Sequence, residues 1–146
     1  MNRLPGVVTA IQSAGQVALA DVEVRGGAMS ALLMESDAEA GRLKPGAPVL
    51  VLFQEAEVSL AKHLAGLISL RNRLGTRIKQ VDKGGVLTRV ALDYHGHEIV
   101  SIITTRSAER LQLAAGDEVE ALIKANEVTL VAREASSGLS IGNRSS

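Results

Sequence analysis

The chain has no cysteine and no tryptophan, and only one phenylalanine and one tyrosine among its 146 residues. Without cysteine, disulfides, thiolate nucleophiles and thiolate-ligated metals are excluded. With Phe53 and Tyr94 as the only aromatics, the core has to be aliphatic, and 46% hydrophobic residues supply enough of it. Net charge is also missing: 16 Lys+Arg balance 16 Asp+Glu. A chain with neither a basic field nor stacking platforms is a poor nucleic-acid binder. No apolar run approaches the roughly 18 residues of a membrane span. The opening Met1-Asn2-Arg3-Leu4-Pro5-Gly6 lacks the apolar core of a signal peptide. These absences lead us to expect a cytoplasmic protein with no nucleic-acid or membrane partner. Catalytic patterns are missing too. Three histidines leave few nucleophile–base pairs, and there is no G-x-S-x-G, P-loop, G-x-G-x-x-G or H-E-x-x-H. We therefore expect no enzyme activity.

What the chain does have is a repeat. Asn2-Arg3-Leu4 returns as Asn72-Arg73-Leu74, a shift of 70 that holds without a gap to Lys62. Gly15 meets Gly85, Gly26 meets Gly96, Ala38-Glu39 meets Ala108-Glu109, and Glu57-Val58 meets Glu127-Val128. A third, truncated copy follows: Gly66 to Arg73 resembles Gly138 to Arg144, with Ser69 and Asn72 meeting Ser140 and Asn143. The chain divides into repeat one over 1–64 and repeat two over 65–137. The tail 138–146 either folds back as the opening strand that repeat one lacks or is a loose Ser/Gly-rich end.

Within each repeat the texture is β. Val17 to Val24 and Val86 to Tyr94 alternate, Arg25-Gly26-Gly27 and His95-Gly96-His97 read as hairpin turns, and Ala31–Met34 and Ile99–Thr104 read as return strands. A short helix is expected next, opened by the capping pattern Ser36-Asp37-Ala38-Glu39 and by Ser107-Ala108-Glu109-Arg110. Leu43 to Gly46 and Leu113 to Gly116 end it. Val49–Phe53, Glu57–Ala61, Val119–Ile123 and Glu127–Val131 read as further strands. The fold class is all-β: two tandem OB-like five-stranded barrels, each with one short helix.

His95-Gly96-His97 is the one metal-like spacing, and a polar hairpin tip accounts for it better. No cationic metal site is expected. Short polar residues at element ends are more telling. Ser69, Arg71 and Asn72 precede a strand, Thr104, Thr105 and Ser107 lie just before the helical turn, and Lys124, Ala125 and Asn126 form a corner between the last two strands. Backbone N–H groups, hydroxyls and one or two cations can hold an oxyanion without bulk positive charge. Each residue also has a plain alternative: Ser107 as a helix cap, Lys124 as a solvated turn residue, Arg71 as a surface charge.

Taken in order, four segments resemble the molybdate-binding Mop (TOBE-type) family. Ile68-Ser69-Leu70-Arg71-Asn72-Arg73-Leu74 is similar to its S-A-R-N-x-L opening. Thr104 to Ala108 and Leu113 to Val119 are similar to its middle. Leu122-Ile123-Lys124-Ala125-Asn126-Glu127-Val128 is similar to its closing A-x-I-K-A-[ST]-x-V segment. The tandem arrangement looks like the small cytoplasmic di-Mop proteins. That resemblance implies molybdate, or tungstate in its place, as the ligand. It also implies assembly into a homo-oligomer, a trimer of double-repeat chains, with oxyanions between subunits. The site residues it implies are Ser69, Arg71, Asn72, Thr105, Ser107, Lys124, Ala125 and Asn126, with Ser140, Gly142 and Asn143 from the tail. The implied role is storage, buffering or homeostasis of molybdenum, or alternatively a molybdate-sensing module acting through a protein partner.

Repeat one departs from the pattern. Gln54 replaces Lys124, Asp37 replaces Ser107, and Glu35 replaces Thr105. In the tail, Gly142 stands where Arg71 does. Either repeat one binds through backbone donors alone, or it mainly completes sites whose charge comes from repeat two of a neighbour; the pairing of a degenerate and an intact repeat favours the second.

Overall fold

A computed structural model describes residues 1–34 and 43–133. Ten strands run in chain order among these residues: β1 (Asn2–Ala14), β2 (Val17–Val24), β3 (Gly27–Met34), β4 (Pro48–Phe53), β5 (Ser59–Ala61), β6 (Asn72–Lys83), β7 (Leu87–Tyr94), β8 (His97–Thr104), β9 (Glu118–Ile123) and β10 (Thr129–Ala132). One helix, α1 (Thr105–Arg110), lies between β8 and β9, and 3₁₀ turns occupy Glu55–Glu57 and Ala125–Glu127. The strands form two curled five-stranded sheets, the pair of OB-like barrels expected. The capping pattern at Ser36–Glu39 and the tail 138–146 lie outside the described residues.

Each long first strand owes its shape to its side-chain pattern. Asn2, Leu4, Gly6 and Val8 point inward on β1, and Asn72, Leu74, Thr76 and Ile78 do so on β6. Both strands carry a register shift at the same repeat position, Val8/Ala10 and Ile78/Gln80. There the strand bends from one neighbour to the next, as bulges commonly allow. Gly46 N donates to Val8 O at 2.7 Å and Gly116 N to Ile78 O at 2.8 Å, so each Leu-x-x-Gly turn docks on the bulge.

The sheets do not keep to the repeats. Their orders are β10-β4-β1-β2-β3 and β5-β9-β6-β7-β8, so each repeat ends in the other repeat's sheet. β10 pairs with β4 from Thr129↔Leu52 to Ala132↔Val49, and β5 pairs with β9 from Ser59↔Leu122 to Ala61↔Glu120. The 3₁₀ turns direct this crossing. Glu57 N donates to Gln54 O, and Glu127 N to Lys124 O, which carries the chain away from its own fourth strand. The closing strands consequently begin at Ser59 and Thr129, two residues later than the sequence pattern suggested, because Glu57 and Glu127 belong to the turns.

Lys62 fastens the exchanged strand: its Nζ donates to Leu111 O, Gln112 O and Asp117 Oδ2, each at 3.1 Å. At the matching place after β10, Arg133 N donates to Pro48 O at 2.9 Å.

A second link is made by two side chains. Asn72 Nδ2 donates to Ser30 O at 2.9 Å and its Oδ1 accepts from Ser30 N at 2.7 Å. Asn2 does the same to Val100, at 2.9 and 2.8 Å. Ser30 and Val100 are repeat equivalents on the edge strands β3 and β8. Each amide therefore acts as a one-residue strand, satisfying an N–H and a C=O that the edge leaves open. Asn2 is 4% and Asn72 1% exposed. The hairpin tips also meet. Arg25 Nη1 donates to His95 O at 3.2 Å, and the His95 ring lies where a Cβ on Gly26 would stand, 2.4 Å from Nε2. That contact and its φ of 73° reserve position 26 for glycine. One apolar cluster spans both barrels, joining Leu4, Val51, Phe53 and Leu130 to Leu74, Tyr94, Ile99 and Ile123.

Two outcomes are expected. Asn72→Ala leaves a buried N–H and C=O of Ser30 open and should lower unfolding free energy by about 2–4 kcal/mol in urea titrations; an unmoved midpoint would refute the role. Asp117 is held below its ordinary value by the Ala114 N–H and by Lys62. Its folded pKa is the lower one, so its contribution is present above the unfolded pKa. It is lost as pH falls below about 4 and through the folded value. Asp117→Asn should flatten that part of a stability–pH profile.

Candidate functional site

The β6–β9 ladder closes on the pair Asn72↔Ile123. Beyond that last rung lie Arg71, just before β6, and Lys124, just after β9, followed by the Ala125–Glu127 turn. That turn packs against β3 of the first sheet, the strand whose Ser30 is gripped by Asn72. The corner thus forms where the two sheets join. Arg71, Lys124 and Asn126 are exposed and Ala125 is half-buried.

The charges at this corner do not cancel internally. Arg73 is spent on Glu120 through Nε at 3.0 Å and Nη2 at 2.8 Å, which pushes its own pKa further up. Among the described residues neither Arg71 nor Lys124 makes an ion pair. Glu127 faces its repeat equivalent Glu57, whose carboxyl is pushed up by the hydrogen bond and like charge between them. Two cations flanking the same ladder end, with no ion pair among the described residues and next to backbone N–H groups of a turn, suit an anion with acceptor oxygens only.

The expected site residues fall into separate places. Arg71, Asn72, Lys124, Ala125 and Asn126 share the corner, but Asn72 contributes from beneath, with both ends of its amide engaged by Ser30. Ser69 is exposed on the segment leading into β6. That segment, with a fully exposed Leu67, is outside both sheets rather than an opening strand. Thr105 and Ser107 are elsewhere. Leu87↔Thr104 ends the β7–β8 ladder beside the Lys83↔Thr88 end of β6–β7, the far end of the sheet from Asn72. Ser140, Gly142 and Asn143 lie outside the described residues.

At that far end the helix begins at Thr105, two residues before Ser107, because Thr104 caps it: its Oγ1 accepts from Ser107 N at 3.1 Å. Thr104 Oγ1 also donates to Ser107 Oγ at 2.9 Å, which leaves the Ser107 hydroxyl proton to give outward. Thr105 is buried, and its Oγ1 donates to Gly84 O at 2.8 Å while meeting Thr88 Oγ1 at 2.8 Å. Its single proton is used, so Thr105 holds the helix to the β6–β7 turn. His95 and Gly96 form the two-residue turn of the β7–β8 hairpin, with φ of 48° and 89°. Among the described residues no group of three or more His, Asp or Glu is placed to hold a metal ion, and no helix is long and apolar enough to cross a membrane.

Sequence reasoning passed over Asn2 and Lys62. The identity of Asn2 with Asn72 across the repeat was the available signal for the first. Nothing local marks Lys62, whose partners are about fifty residues away.

A chain of two OB-like barrels that trade their last strands defines a class of tandem β-barrel domain. The sequence pattern of the TOBE domain matches residues 1–60 and again 68–130, and the chain belongs to that family. It is 33% identical to the molybdenum import ATP-binding protein ModC of Brucella abortus (strain 2308) over 126 residues, covering 86% of this chain and 33% of ModC. It is 36% identical to the molybdenum-pterin-binding protein MopB of Rhodobacter capsulatus over 106 residues, covering 70% of this chain and 38% of MopB. The chain therefore spans about a third of the length of these relatives. Among solved structures it is similar to the cytoplasmic molybdate-binding protein ModG with molybdate bound. The TM-score is 0.83 at 30% identity, over 88% of this chain and 94% of that one.

Proposed function

We propose that this chain binds molybdate, or tungstate in its place, without catalysis, and serves intracellular storage, buffering or homeostasis of molybdenum in the cytoplasm. The observation that carries this reading is the pair of cations at the repeat-two corner, Arg71 and Lys124, with no counter-ion among the described residues. The likeness to ModG over nearly its whole length supports it. Molybdate is a tetrahedral dianion with acceptor oxygens only. Lys124 and Arg71 supply charge, the Ala125–Asn126 turn supplies backbone donors, and Ser69 reaches in from the preceding segment. Asn72 acts as a positioning residue, holding the corner against β3.

The placement of Ser107 supports assembly. It lies at the opposite end of the sheet from Lys124, so the two act on one anion only across copies of the chain. The assembly we propose is a homotrimer.

Lys124→Ala should weaken molybdate binding in equilibrium dialysis roughly ten- to a hundredfold, the worth of one charge-assisted hydrogen bond, whereas Gln54→Ala should change it little. Unchanged affinity in the first variant would remove Lys124 from the site. Native mass spectrometry with and without molybdate should show a trimer that gains molybdenum; a monomer that takes up none would sink the proposal.

A further inference from the structure

The repeat gives every residue of the cationic corner a counterpart 70 positions earlier, and the two corners are built alike. In repeat one the ladder between β1 and β4 also closes on an asparagine rung, Asn2↔Phe53. Gln54 follows where Lys124 does, and the Glu55–Glu57 turn packs on β8 as the Ala125–Glu127 turn packs on β3. The backbone paths agree: Gln54 has φ −75° and ψ 148°, Lys124 φ −69° and ψ 145°.

The charges do not agree. Glu55 stands at the position of Ala125, and its carboxylate is bonded to the amino group of Met1, the residue that occupies the place of Arg71. The guanidinium of Arg89, on β7, adds attraction from the neighbouring sheet, where repeat one has Leu19. Arg89 is only loosely engaged elsewhere, at 4.0 Å from Asp82 and 3.8 Å from Glu98. Corner two therefore has two cations and no anion at the first position of its turn. Corner one has cations around that position and a carboxylate already among them.

We propose that Glu55 is the built-in anion of the repeat-one corner: its carboxylate takes the place that an external oxyanion takes at the repeat-two corner, so each chain offers one such corner rather than two. The inference rests on the oxyanion-binding function proposed above and names the residue that sets its stoichiometry. A tetrahedral dianion entering corner one meets a fixed negative charge within the turn and gains no lysine, since Gln54 is neutral. Glu57 adds a second carboxylate in the same turn. Glu127 adds the same charge to the other, so the difference between the corners lies at positions 54 and 55.

Two reciprocal variants test this against the full-length protein, with sodium molybdate as the probe. Gln54→Lys combined with Glu55→Ala gives corner one the Lys-Ala pair of corner two. Equilibrium dialysis followed by elemental analysis should then find one more molybdenum per chain than in the unaltered protein. Ala125→Glu places the carboxylate in corner two and should weaken binding there at least about tenfold, the scale of a like-charge contact at a partly exposed site. Circular dichroism establishes that each variant is folded, and if one is not, the other decides. A folded double variant with an unchanged molybdenum count overturns the proposal, as does Ala125→Glu with unchanged affinity. Should the unaltered protein take up no molybdate at all, the binding function itself fails, and that result is distinct from either of these.

Discussion

A sheet edge with open N–H and C=O groups has to be covered, and here each repeat covers the other. β10 completes the sheet of repeat one and β5 that of repeat two. At the opposite edge of each sheet, β3 and β8 are met at Ser30 and Val100 by the amides of Asn72 and Asn2. Neither barrel is finished by its own residues. A unit of some seventy residues buries a marginal core, and exchanging strands joins two such cores into one aliphatic cluster. The near absence of aromatics follows from the same geometry: small barrels pack on Val, Leu, Ile and Ala, and the two rings, Phe53 and Tyr94, each fill one deep position.

The exchange also builds the corners. Because each chain segment leaves its sheet through a 3₁₀ turn, the residues of that turn are held at the junction with the other sheet. This puts Lys124 and Arg71 at the end of one ladder and puts Glu55 beside Met1. One scaffold thus presents two equivalent positions, one with a carboxylate already among its cations and one without. In a chain with zero net charge, the anion capture proposed above has to rest on such local imbalance, because no net charge is available to draw an anion in.

Much of this was legible in the sequence because it is local or periodic. Alternation marked β2 and β7, the Leu-x-x-Gly turns were plain, and a shift of 70 paired the strands of one repeat with those of the other. The Lys124–Asn126 corner could be read from the turn between two strand patterns. Local pattern failed where a specific hydrogen bond, near or far along the chain, decided the outcome. Glu57 and Glu127 looked like strand starts, but hydrogen bonds to Gln54 O and Lys124 O turn the backbone there. Ser107 looked like a helix start, but the hydroxyl of Thr104 satisfies its amide. Thr105 and Asn72 were read as ligand donors on residue type, yet burial and partners from other strands use their hydrogen bonds inside the protein.

The sequence by itself determined the repeat, the β texture, the aliphatic core and the loss of lysine and serine in repeat one, because each is a property of residue type and spacing. The tertiary structure decided which sheet each final strand joins, which polar side chains remain free, and that Ser107 and Lys124 sit at opposite ends of a sheet. It also decided that Glu55 meets a cation where Ala125 leaves one open. These outcomes depend largely on pairings between residues about forty to a hundred positions apart. Hydrogen-bond satisfaction at buried edges and Coulomb attraction across the sheet junction select those pairings, and no local window of sequence contains both partners.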